Sequence, residues 1–141
     1  MHPIIRNILA VIAGFIVGSI VNGSLISISG TIIPPPEGTD TSTMEGLQAA
    51  IALFEPKHFL FPFLAHALGT FVGAFVSAKI APKYGLQLAM VIGTIFFIGG
   101  LYMVFIVPAP LWFDILDLVV AYLPMAYIGW LFAKKKKVDL Q

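Results

Sequence analysis

The sequence predicts an all-α membrane protein, a four-transmembrane-helix bundle with a short amphipathic helix in the first outer loop. Three observations carry that expectation. Hydrophobic residues make up 59% of the chain and charged residues 11%, whereas a soluble domain carries about 25% charged residues. Four apolar runs each approach the ~20 residues that a helix needs to cross a ~30 Å hydrocarbon core. Proline and glycine punctuate the chain between those runs. At 141 residues, a single transmembrane domain is expected.

The first run covers about residues 7–29 and carries no charge. His2 and Arg6 give it a basic start. The apolar stretch is too long for a cleaved leader and lacks a small-x-small site, so it reads as a retained first helix. Pro34, Pro35, Pro36 and Gly38 end it. The second run covers about 59–78, the third 85–107 and the fourth 111–133. Pro82 and Gly85 flank the second turn, and Pro108 and Pro110 make the third. Alternation is absent, which argues against strands. Backbone groups in lipid must be satisfied within the segment, which requires helices. Pro62 and Pro124 fall inside spans, where a missing N–H tends to kink a helix except in its first turn. The first and third runs share a weak similarity, Leu9–Gly14 against Leu88–Gly93, of the kind that chance produces among membrane helices.

The outer loop between the first two runs is long, and residues 43–54 read as helix. Ser42 with Glu45 forms a capping-box pattern. Met44, Leu47, Ile51 and Phe54 recur at helical spacing, with Glu45 and Gln48 off that line. Such a helix is expected on the membrane surface or over the mouth of the bundle. Orientation follows from the basic residues. Arg6, Lys79, Lys83 and Lys134 to Lys137 fall on one side, seven of the eight Lys and Arg. The positive-inside rule therefore puts both termini in the cytoplasm. These lysines act first as topology signals, with lipid-headgroup binding as the sharper alternative.

Composition also excludes chemistry. With no cysteine, disulfides, thiolate metal sites and thiol catalysis are out. A net charge of +1 gives no general pull towards nucleic acid. No Ser-His-Asp order, phosphate loop or dinucleotide fingerprint occurs, and no catalytic residue, metal site or cofactor is expected. Small residues stack at four-residue spacing, Ala10, Gly14 and Gly18 on the first run and Ala65, Gly69 and Gly73 on the second. Lipid gives helices no hydrophobic drive to associate, and small residues supply close backbone approach instead. Packing of the first helix on the second is the expected use, and contacts within a homo-oligomer are the other.

Intramembrane polar residues are the most informative. Counting 1.5 Å per residue from the outer ends, Asn22, His66 and Asp117 reach one depth on three different helices, with Asp114 nearer the interface. Ionisable groups at that depth are costly and face the bundle interior. His66 is expected within hydrogen-bond reach of Asp114, Asp117 or Asn22. One reading is polar glue that fixes the bundle. The other is an outward-facing polar pocket whose imidazole changes charge near neutral pH, rimmed by Glu55, His58 and the Pro34–Glu37 turn.

The stretches Ile33–Gly38, Thr43–Leu47, Phe54–Phe59 and Leu64–Thr70 resemble a family of short bacterial four-span inner-membrane proteins with no assigned activity. The resemblance covers most of the chain and implies a bacterial inner-membrane location. Small multidrug exporters differ in having a glutamate in the first span, and quinone-linked disulfide formers differ in having cysteines. Two functions stand at this stage, neither enzymatic. One is a membrane module, held in the lipid bilayer, that self-associates or binds a membrane-protein partner. The other is a small-solute or proton-linked transporter or sensor built on the polar cluster.

Overall fold

The computed structural model describes residues 2–81 and 83–134. Pro82 and Lys135 to Lys137, read above as a turn and an anchor, lie outside the described residues. Every regular element described is helical. Helix α1 is Pro3–Ile32, α2 Met44–Ala50, α3 Leu60–Ile80, α4 Gly85–Ile106, α5 Leu111–Val120 and α6 Leu123–Ala133. Short 3-10 turns at Ile51–Leu53 and Pro56–Phe59 join α2 to α3. Among the described residues four stretches are long and apolar enough to cross a membrane: Pro3–Ile32, Pro56–Ile80, Gly85–Ile106 and Leu111–Ala133. The protein is a multi-pass four-helix bundle.

Helix α1 outruns the expected 7–29 at both ends. Pro3 stands in its first turn, where a missing N–H costs nothing, and the His2 imidazole accepts from the Ile4 N–H at 3.3 Å. At the far end the Ile33 N–H bonds to the Ser29 carbonyl before the prolines stop propagation. At 30 residues α1 is about 45 Å long, more than a ~30 Å core, so it tilts or projects.

Helix α3 is the centre of the bundle and packs on α1, α4 and α6. Glycines set how close those neighbours come. A Cβ on Gly14 would stand 2.5 Å from the Gly73 carbonyl oxygen, and one on Gly18 2.6 Å from that of Gly69. The reverse holds too, with Gly69 facing the Gly18 carbonyl and Gly73 that of Gly14. The small-residue stripe is thus used within the chain, backbone against backbone. Gly129 brings α6 equally close to the Phe71 carbonyl of α3, and Gly93 of α4 takes the Ala126 methyl of α6.

The fourth span departs from the single run that the sequence suggests. It breaks between α5 and α6, where Tyr122 leaves helical geometry at φ −114°, ψ −83°. Pro124 has no N–H to return to the Val120 carbonyl. The ladder resumes with the Ala126 N–H on the Tyr122 carbonyl at 2.8 Å.

Helix α2 and its 3-10 extension occupy Met44–Leu53 and pack over one end of the bundle. Ile51 is buried with Phe59, Val107 and Phe113, and Leu47 and Phe54 pack against them. The capping box expected of Ser42 and Glu45 is not the one used. Thr43 is the N-cap, its hydroxyl accepting from the Gly46 N–H at 3.0 Å. Ser42 instead gives both its N–H and its hydroxyl to the Asp40 carboxylate, which lowers the Asp40 pKa. Gln48, off the apolar line, donates from Nε2 to the Ile106 carbonyl at 2.7 Å and satisfies an orphan acceptor at the end of α4.

Candidate functional site

Beneath α2 lies a half-open cavity of about 380 Å³, at the lower end of the ligand-pocket range. Leu47, Ile51 and Phe54 roof it, and Phe59, Met103 and Phe113 are among its walls. Its polar lining is Asn22 of α1, His66 of α3, and Asp114 and Asp117 of α5.

Asp117 holds the floor together. His66 Nδ1 lies 2.9 Å from both Asp117 oxygens, and the Tyr122 hydroxyl donates to Oδ2 at 2.8 Å. A carboxylate only accepts, so the imidazole presents Nδ1–H to it. Asp117 is 5% exposed and Tyr122 1%, while the His66 side chain keeps 24%. The carboxylate is therefore buried and doubly donated to, and the imidazole is its edge towards the cavity. His66 Nε2 has no hydrogen-bond partner among the described residues.

The break in the fourth span makes this arrangement. It turns the Tyr122 ring inward, where it stacks on His66 at 5.7 Å and meets Phe97 edge-on. Gly100 of α4 gives the ring its room: a Cβ there would collide with the Tyr122 hydroxyl and ring. Sequence reasoning missed Tyr122. The signals were a tyrosine in mid-span, five residues after Asp117 and two before Pro124.

Of the residues expected at one depth, the structure brings His66 and Asp117 into contact. Asn22 lines the cavity but makes no hydrogen bond to either, because it sits where α1 crosses Gly69, whose Cβ would touch the Asn22 side chain. Asp114 lines the cavity about one turn nearer its mouth, without a protein donor among the described residues. Glu55 and His58 do not form the rim. Glu55 is exposed and pairs with Lys57 at 3.1 Å. His58 is a tie within the loop, accepting from the Glu55 N–H at Nδ1 (2.9 Å) and reaching the Pro34 carbonyl from Nε2 (3.2 Å). That use fixes its tautomer and turns it to a neighbouring cavity.

Two further hydroxyls follow His66 along the same face of α3. Thr70 and Ser77 are fully buried, and neither oxygen has a hydrogen-bond partner among the described residues. Among the described residues no group of three or more His, Asp or Glu stands close enough to hold a metal ion. Compared with protein-family models, curated proteins and solved structures, the chain matches none.

Proposed function

We propose that the protein is a non-enzymatic membrane module that binds a small amphipathic solute in the α2-roofed cavity, with binding coupled to a proton on His66. The observation that carries this reading is the floor itself. A sealed, fully paired polar cluster would serve only to fix the bundle. Here Asp117 and Tyr122 are buried and paired, but His66, Asp114 and Asn22 also line the cavity, and among the described residues neither His66 Nε2 nor the Asp114 carboxylate has a hydrogen-bond partner. That favours the solute-binding reading of the sequence over the partner-binding one.

The lining indicates the class of solute. Its walls and roof are apolar, so the body of the ligand is apolar. Two carboxylates and one imidazole line the polar end; counted as ionised, the carboxylates outnumber the imidazole in either of its charge states. A cationic, hydrogen-bond-donating head suits that balance. An ammonium would bond to Asp114 and compete with a protonated His66, releasing its proton. The groups facing His66 are Asp117, Asp114 and Tyr122.

We place the protein in a bacterial inner membrane, α2 on the outer side and both termini in the cytoplasm. The charge pattern and the family resemblance support this reading.

A lipophilic amine tests the binding reading. The chain has two tryptophans, and Trp112 packs edge-on against Phe59 of the cavity wall. In a Trp130→Phe background, 2-phenylethylamine should change Trp112 emission saturably. Asp114→Asn removes the charge that the ammonium meets and leaves the buried Asp117 floor in place, and should abolish the saturable change. A linear response, or one that Asp114→Asn leaves intact, would mean the amine only partitions into the micelle.

A further inference from the structure

The opposite end of the bundle holds a larger cavity, about 530 Å³, with a different chemistry. Three cations from three helices line it: Arg6 of α1, Lys79 of α3 and Lys134 at the end of α6. No carboxylate of the described residues does. We infer that this cavity is a binding site for a phosphate group, the site of an anionic phospholipid headgroup at the end of the bundle.

Position and preorganisation argue for this beyond charge alone. Arg6 Nε donates to the Ile80 carbonyl at 2.8 Å, which caps α3, and the rest of the guanidinium fork makes no hydrogen bond among the described residues. Lys79 lies over the Phe75 ring at 5.7 Å and Lys134 over Trp130 at 5.0 Å. Each ammonium is therefore held by an aromatic face, and neither pairs with a carboxylate among the described residues. Helix α4 begins at Gly85 on the cavity wall with no side-chain cap, so its first N–H groups and its positive dipole end add to the field. Like charges converging on one concave space repel unless an anion joins them. Basic clefts between helix ends at the membrane surface are the sites where phospholipid headgroups bind. The inference is independent of the solute-binding reading, which concerns the other end.

Trp130 lines this cavity and is a built-in reporter. In a Trp112→Phe background, an anion that draws Lys134 off the indole should change Trp130 emission. The full chain in phosphatidylcholine nanodiscs would be compared with the same protein in discs doped with phosphatidylglycerol. A saturable change with phosphatidylglycerol is expected. Lys79→Gln should weaken it about fivefold, the usual contribution of one basic residue near an anionic surface. Lys134 is kept in that variant because its contact with Trp130 carries the signal, and Arg6 because it caps α3; Lys57→Gln, at the other end, should change nothing. If inorganic phosphate alone reproduces the change saturably, the phosphate comes from a soluble ligand; if only the lipid does, the headgroup reading stands. An equal response to phosphatidylcholine, or an unchanged affinity in Lys79→Gln, would overturn the site.

Discussion

Asp117 shows how one buried carboxylate is made tolerable in a span. Leaving such a charge unpaired in an apolar interior is expensive, and His66 and Tyr122 both donate to it. A hydrogen bond to a charged acceptor contributes about 1.5–3 kcal/mol, so Tyr122→Phe should lower stability by about that much in detergent unfolding. Gly100→Ala should cost about 1–3 kcal/mol, as overpacked cores do. Because the added methyl first meets the Tyr122 hydroxyl, the double variant should lose less than the two losses together. Additivity within ~0.5 kcal/mol would place the two residues out of contact. That His66 would meet Asp114, Asp117 or Asn22 was legible in the sequence because helix direction and a rise of 1.5 Å per residue fix depth, but the choice of Asp117 depends on how α5 is rotated. Tyr122 was not legible, because an unbroken helix would not place residues 117 and 122 on one face. Only the break at Tyr122 brings the ring back, and its dihedrals depend on packing against Gly100.

At the scale of elements, apolar runs and punctuation made the helices legible, and backbone contact decides their spacing. Gly14 and Gly73 meet each other's carbonyls, whereas a Cβ on Gly23, in the same helix as Gly14, would meet nothing within 4 Å. Gly14→Ala and Gly73→Ala should each cost about 1–3 kcal/mol through α1 being pushed off α3. Gly23→Ala should be neutral or stabilise by up to about 1 kcal/mol, the helix propensity gained. Equal effects at positions 14 and 23 would show that the stripe does not hold α1 on α3. The outer helix was legible from its apolar line, but its cap was assigned one residue early. Ser42 and Thr43 are both competent caps, and the Asp40 carboxylate decides between them by taking Ser42. Glu55 and His58 were expected at the rim from sequence proximity alone. The Pro56–Phe59 turn instead points Glu55 outward and ties His58 back to Pro34.

Across the whole molecule the two ends differ in chemistry: an acidic, apolar-walled cavity under α2 and a basic one between the far helix ends. That polarity is the structural counterpart of the charge asymmetry in the sequence. Reporter fusions at Gln141 and within Gly38–Ser42 should report opposite compartments, the C-terminal one cytoplasmic; the same compartment for both would end the proposed topology. An outward-facing pocket was one of two readings of the sequence, and the choice between it and polar glue was not legible, because it depends on how far α2 and the broken fourth span stand from α4.

The central claim is that solute and proton compete at His66, and the pH dependence of amine affinity tests it most directly. Affinity of the Trp130→Phe protein for 2-phenylethylamine would be measured at a series of pH values over which the bundle stays folded. Linkage allows up to about tenfold per pH unit for one displaced proton. The account expects affinity to rise with pH, with His66→Gln binding the amine but losing the slope. An affinity that stays flat across that range in the His66 protein, or a slope that survives in His66→Gln, would contradict it.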